Sequence, residues 1–253
     1  MTDHNVLRFG GRCTVSATGL SHDEACPVVV VRDTSNRDFL LKYALAGLIG
    51  LAGGSSAADR LICMAERHIH QGSRWGSWSH AFFLQGERAD GHHWVIESDL
   101  EIHQKHVRLG VQENRLGKFF KEKEYPSLAL LDFHLGSKEV RNVLKEGLEL
   151  VAGRTRYSIR ELLGTLIALR HPRLRTQKNL LASERSFYCS SFVRHLFSKA
   201  GMDLLPGLET KNTTPEDLLL TPVPHTSYIL LREAETKSTG LLRTALARYR
   251  KGL

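Results

Sequence analysis

The sequence predicts a single α+β domain, and three observations lead there. Short apolar runs of strand character fill the first half. Amphipathic stretches of helical period dominate from residue 137 onward, and a last strand-like run returns near residue 230. The chain has 253 residues, 42% hydrophobic and 25% charged. That is enough to bury a substantial core, and no long polar or low-complexity tract interrupts it. No internal repeat is visible, and no linker forces a second domain.

Val6 to Phe9, Cys13 to Ala17 and Pro27 to Val31 read as strands, the last through its run of valines. Asn36 or Asp38 then caps an apolar stretch from Phe39 to Gly53, interrupted only by Lys42. It falls short of the ~20 apolar residues of a membrane span, so a buried core helix is expected. A surface-inserting or substrate-tunnel helix is the alternative. Gly53-Gly54-Ser55-Ser56 ends it, because paired glycines followed by serines favour a turn. Arg60 to Ala65 fits either a strand or a short helix.

Trp78 to Leu84 and His93 to Ile96 read as a hairpin around the polar turn Gly86 to Gly91. Further strands are expected over Lys105 to Val111 and Leu128 to Phe133. From Ser137 the apolar positions Val140, Val143, Leu144, Leu148 and Val151 have helical spacing. Another helix runs from Ser158 to Leu169, until His171-Pro172 breaks it. Pro172 to Glu184 is a basic surface loop, and Ser186 to Ala200 an amphipathic helix ended by Gly201. Thr214-Pro215-Glu216-Asp217 is a helix start: a hydroxyl cap, proline first, acids in the first turn. Ser227 to Leu231 is the late strand, and Leu241 to Arg250 a basic terminal helix.

The net charge is +8 and the isoelectric point about 9.5. Such a balance attracts anions without choosing among them. Basic residues gather only at Arg243, Arg248, Arg250 and Lys251, with no nucleic-acid motif beside them. They read as a solvated face or a membrane-surface contact, and nucleic acid is not an expected partner. Cys13, Cys26, Cys63 and Cys189 are too sparse for a disulfide framework and lack zinc-site spacing. The opening Met1-Thr2-Asp3-His4-Asn5 lacks the charged-then-apolar pattern of a signal peptide. The expectation is a reduced protein, cytoplasmic as synthesised, with export that needs no cleavable signal left open.

Cys189 stands out among the cysteines. Phe192, Val193, Leu196 and Ala200 recur at helical spacing after it, which puts Cys189 in the first turn of an amphipathic helix. Unpaired amides and the helix dipole favour a thiolate there. Burial as a packing residue is the competing reading, and it is the one adopted for Cys13, Cys26 and Cys63. A thiolate nucleophile needs a base and a group to orient that base. If Gly86 faces Gly91 across the hairpin turn, His80 sits directly opposite Glu97. Opposed residues share a face with Cβ atoms ~5 Å apart. A slip of one residue would separate them.

Trp78-Ser79-His80-Ala81, Val95-Ile96-Glu97 and Phe187-Tyr188-Cys189-Ser190-Ser191-Phe192-Val193 together resemble the permuted papain-like superfamily. This is the circularly permuted, NlpC-type branch that includes YiiX-like proteins and relatives of lecithin–retinol acyltransferase. The order His80, Glu97, Cys189 is that of the permuted branch. Gly153-Arg154-Thr155-Arg156-Tyr157 and Thr214-Pro215-Glu216-Asp217-Leu218 resemble its flanking segments. Ser191 departs from an acidic residue often found two places after the cysteine. The resemblance covers roughly residues 60–231 of one domain spanning 1–253. Residues 1–59 then form an N-terminal extension, and residues 237–253 a basic C-terminal helix.

The resemblance implies an antiparallel sheet packed against helices, with Cys189 as nucleophile, His80 as proton carrier and Glu97 orienting His80. The Cys189 amide is the implied oxyanion donor. Tyr188 has a lesser expected part in oxyanion or substrate binding, beside its reading as a buried anchor. No cofactor is implied. The expected reaction is cysteine-dependent hydrolysis or acyl transfer on a lipid ester or amide, suggested by Phe39 to Ala52 and the basic surface. The alternative substrate is a peptide bond of peptidoglycan. Either enzyme fits an exported antibacterial effector with an immunity or delivery partner. Two other classes stand beside these: a binding module without chemistry, and a metal protein built on His68, His70, His92, His93, His103 and His106.

Overall fold

Runs rich in β-branched and aromatic side chains form the strands. The computed structural model describes residues 6–9, 27–66, 77–102, 107–157, 159–170, 172–177 and 186–232. Among these, the strands are β1 (Val6–Phe9), β2 (Val28–Arg32), β3 (Ile49–Gly53), β4 (His80–Glu87), β5 (His93–Ile102), β6 (Val107–Arg115), β7 (Ser127–Asp132), β8 (Arg156–Tyr157), β9 (Ser186–Phe187) and β10 (Thr226–Leu231). The helices are α1 (Asn36–Tyr43), α2 (Ala57–Glu66), α3 (Ser137–Ala152), α4 (Ile159–Arg170), α5 (Pro172–Arg175), α6 (Cys189–Lys199) and α7 (Pro215–Leu219). Two 3-10 turns, Leu116–Phe120 and Thr210–Asn212, complete the set.

Eight strands join in the order β1-β2-β10-β7-β3-β4-β5-β6, while β8 and β9 form a separate pair. Within the large sheet only β2 and β10 run parallel. Alternating side chains feed two cores. Val28, Val30, Ile49, Leu51, Ala81, Phe83 and Ile96 pack on one face against Phe192, Val193, Leu196 and Phe197 of α6. Val29, Val31, Ala52, Phe82, Leu84, Val95 and Leu130 pack on the other against Phe39, Leu40 and Phe119. The architecture is the mixed α+β class that the sequence predicts.

Phe39 to Gly53 is not the single buried helix expected. It divides into the end of α1, a turn where Gly47 takes φ 96°, and the strand β3. All five residues of β3 are buried between β4 and β7. A strand covered on both faces shows an unbroken apolar run instead of alternation, and so mimics a core helix. Gly50 is needed there, because a Cβ would lie 2.1 Å from a Phe82 ring carbon. Neither a surface-inserting nor a tunnel helix exists in this segment.

Arg60 to Ala65 is helical, within α2. Ser186 and Phe187 are extended in β9 rather than helical, and α6 begins at Cys189. β5 and β6 reach Ile102 and Arg115, further than their sequence signals. Thr214 caps α7 as expected, its hydroxyl accepting from the Asp217 amide. Cys13 to Ala17, Leu241 to Arg250 and residues 178–184 lie outside the described residues. Among the described residues, no helix is long and apolar enough to cross a membrane.

Candidate active site

The β4–β5 hairpin does not take the register expected from Gly86 and Gly91. Its turn closes further along, with Glu87 opposite His93 and Gly86 opposite Trp94. A bulge at Gln85 then shifts the body of the hairpin, where Leu84 faces Val95 and Phe83 faces Ile96. Relative to the expected register the body is displaced by two residues, an even number. His80 and Glu97 therefore still share a face, as a diagonal pair rather than an opposed one. Across that diagonal His80 Nε2 lies 2.5 Å from Glu97 Oε2.

Glu97 is fully buried. Its other oxygen, Oε1, accepts from Asn114 Nδ2 at 2.6 Å and from Lys118 Nζ at 2.8 Å. Lys118 also donates to Asp99 Oδ2 at 2.5 Å. Burial penalises the Glu97 charge, but the Lys118 ammonium and the His80 hydrogen bond outweigh it and draw the carboxyl down to about 2. Asn114, Lys118 and Asp99 were not singled out by the sequence. Asp99 carried a weak signal, standing two residues from Glu97 on one strand and so on the same face.

The His80 side chain is 13% exposed. Its ring stacks beside Phe82 and Phe119, with centroids at 6.2 and 6.1 Å. Burial opposes the imidazolium, yet hydrogen bonds to Cys189 and Glu97, and the charges of both, hold it well above the usual histidine range. With Nε2 committed to Glu97, Nδ1 is the ring atom left for Cys189.

Cys189 is the first residue of α6 and is 4% exposed. Its Sγ lies 3.9 Å from the carbonyl oxygen of Ser79, the residue before His80. The helix start is fixed by several contacts. Tyr188 N donates to Ser191 Oγ at 3.2 Å, and Ser191 Oγ donates to the Tyr188 carbonyl at 3.0 Å. Ser190 Oγ donates to the Thr213 carbonyl at 2.9 Å, and Ser98 Oγ to that of Phe187 at 2.6 Å. Arg194 donates to Thr213 Oγ1 at 3.1 Å and to the Leu205 carbonyl at 2.7 Å. Tyr188 is buried, its hydroxyl donating to the Thr213 carbonyl, so an interior anchor is what its geometry supplies. On the strand side, Gly53 lets Ser77 come close: a Cβ there would lie 2.2 Å from the Ser77 oxygen.

Cys189, His80 and Glu97 thus come together from α6, β4 and β5. Cys63 does not join them. It lies buried in α2, and burial with the charges of Glu66 and Asp59 pushes its thiol far up. Cys13 and Cys26 lie outside the described residues, as do His68, His70, His103 and His106. His92 is exposed in the hairpin turn, and His93 opens β5. Donor atoms of His80, Glu97 and Asp99 lie within 4.8 Å of one another. The Lys118 ammonium bridges the two carboxylates of that group, and supplies the positive charge there.

No family model matches the chain, and no curated protein matches it. Among solved structures, the metalloprotein YiiX of Escherichia coli O157:H7 overlays with a TM-score of 0.47 at 13% identity. The overlay covers 72% of this chain and 94% of that one.

Proposed function

We propose that this chain is a cysteine-dependent acyl hydrolase or acyltransferase with a permuted papain-like arrangement. The observation that carries the reading is His80 held between Glu97 and Cys189, with Cys189 first in its helix. His80 Nδ1 takes the Cys189 proton, and the thiolate attacks the substrate carbonyl carbon. Glu97 holds the imidazolium in place. The Cys189 amide has no partner one turn earlier in its helix and suits the developing oxyanion; such a donor contributes roughly 3 kcal/mol. His80 returns the proton to the leaving oxygen or nitrogen as its bond to carbon breaks. Water or another nucleophile then attacks the thioester, gives its proton to His80 and releases Cys189.

A lipid acyl ester or amide is the substrate class we favour. Phe39 to Ala52 is divided between α1, a turn and the buried strand β3, and of its large apolar side chains only Leu41 and Leu45 are exposed, so it gives a lipid site little support. What supports a lipid now is the net charge of +8 with exposed Leu61 on α2 and Leu163 and Ile167 on α4. These two helices pack together, and Arg60 and Arg173 are exposed close by in sequence. The test incubates the purified full chain with anionic phospholipid vesicles and, separately, with peptidoglycan sacculi. Fatty acid release that disappears in Cys189→Ala is expected. Soluble peptide fragments from sacculi instead would replace the lipid reading. Turnover of neither, while Cys189 still reacts rapidly and only with His80 present, would sink both substrates.

A further inference from the structure

The triad explains one oxygen of Glu97 and leaves the other unaccounted for. Oε1 takes two donors, Asn114 from β6 and Lys118 from the 3-10 turn Leu116–Phe120. Lys118 reaches on to Asp99, so a single ammonium is held by two carboxylates from one strand. Its neighbour Phe119 lies flat on Phe82, with centroids 4.1 Å apart, and Phe82 in turn lies beside His80. The turn that positions Lys118 is therefore packed against the same aromatic face that positions His80.

We propose that Lys118 is a positioning residue, whose ammonium keeps the Glu97 carboxylate ionised and aimed at His80. The inference rests on the triad reading given above. Two carboxylates projecting from Glu97 and Asp99 repel one another, and such a pair ordinarily retains a proton. A proton on Glu97 would leave the His80 imidazolium without its counter-charge. With Lys118 present, the group of Glu97, Asp99 and Lys118 carries one net negative charge, which matches one imidazolium. Among the described residues, the remaining titratable groups facing it are Cys189 from α6 and Tyr125 from the segment after the turn. Tyr125 is pushed up to about 12, chiefly by burial, and stays neutral across the range that matters. Asn114 adds a neutral donor that fixes the carboxylate plane but supplies no charge.

The sign of the effect follows from Coulomb's law. Removing the ammonium takes positive charge away from both Glu97 and the thiolate of Cys189. A proton is then retained at higher pH, and the acid limb of Cys189 reactivity moves up. Removing Asp99 does the reverse. Removing both restores the balance, which a merely structural role for Lys118 would not predict.

The experiment uses the full chain and iodoacetamide, with Cys189 alkylation resolved from the other cysteines by peptide mass spectrometry between pH 4 and 9. Lys118→Met is expected to raise the acid limb by about one pH unit. Lys118→Arg shifts it less, and Lys118→Met with Asp99→Asn returns it toward the wild-type position. Asp99→Asn alone lowers it, and carries the test if Lys118→Met does not fold. A folded Lys118→Met protein with an unmoved limb would overturn the proposal, as would an Asp99→Asn limb that failed to move down. Failure of the triad has a different signature: wild-type Cys189 would alkylate no faster than an ordinary thiol, whether or not His80 is present.

Discussion

Replacing Glu97 by glutamine tests the centre of the site through stability and chemistry together. The side chain keeps its size, and an amide oxygen placed toward Asn114 and Lys118 keeps both of those hydrogen bonds. The amide nitrogen then faces His80 Nε2, which must become an acceptor. His80 is left with its proton on Nδ1, the atom that receives one from Cys189 in the proposed mechanism. A base held in the wrong tautomer costs about 10⁴-fold in turnover in a comparable triad. The stability loss can be worked from the shift of Glu97 from its usual 4.5 to about 2, which corresponds to about 3 kcal/mol. Breaking a buried ion pair costs about 3–5 kcal/mol, so the two routes agree. Because the folded carboxyl is depressed, this stability is present above the ordinary carboxylate range and is lost as pH falls toward 2. His80 is shifted upward, so its share is present below the usual histidine range and is lost as pH rises through its folded value. Urea melts from pH 3 to 9 should therefore show the widest gap between wild type and Glu97→Gln around pH 5 to 7. A variant that melted with the wild type there, or a gap that widened toward pH 3, would refute the reasoning.

Other perturbations probe the surroundings of the site. Gly50→Ala drives a Cβ into the Phe82 ring in the central strand, and a melt should show a loss of about 1–3 kcal/mol. The displaced Phe82 should also slow Cys189 alkylation, since that ring lies beside His80. Cys63 should label far more slowly than Cys189 in the native protein, because burial and three nearby acids, Glu66, Asp59 and Glu216, hold it as a thiol; peptide mapping after a brief iodoacetamide pulse reads this directly. Glu66 is buried against Glu216, and burial with that repulsion raises it well above the usual carboxylate range. A raised carboxyl favours the folded state at low pH and penalises it as pH rises. Glu66→Gln should thus melt like wild type near pH 4 and above it at pH 8.

Much of the site's cast can be read from the chain, because each member sits in a strong local pattern. His80 and Glu97 fall on strands with clear alternation, and Cys189 precedes an apolar stripe of helical spacing. The supporting residues cannot be read that way. Lys118 belongs to a 3-10 turn with no apolar period, and Asn114 is one polar residue among several in β6. They reach Glu97 only because β5 pairs with β6 so that Val95 faces Asn114 and Glu97 faces Gln112. That is long-range information, fixed by pairing and not by local spacing. β3 failed for a different reason, since burial on both faces erased the alternation that marks a strand.

The Gln85 bulge decides whether the register of the hairpin was fortunate or enforced. Continued without the bulge, the pairing of Gly86 with Trp94 would put His80 and Glu97 on opposite faces. With Gln85 paired in a regular ladder, the strand would have to choose between the register of its turn and that of its body. Keeping the turn register would turn Ala81, Phe82, Phe83 and Leu84 out of the cores they fill. At roughly 1.5–3 kcal/mol for each large apolar side chain, that outweighs anything gained at the tip. The tip holds Trp94 against Arg88 and Arg115, at 4.8 and 5.7 Å from its ring. Such exposed cation–π contacts are worth about 0.5–1 kcal/mol each. The body would therefore keep its register and the turn would yield, and the bulge spares the hairpin that loss. Deleting Gln85 removes the extra residue, so Gly86 opposite Trp94 follows directly on Leu84 opposite Val95; the variant is expected to retain Cys189 alkylation within about threefold and to keep Trp94 against its arginines, read as an unmoved tryptophan emission. A folded deletion variant with an unreactive Cys189 would mean that the bulge, and not the two cores, holds His80 and Glu97 on one face.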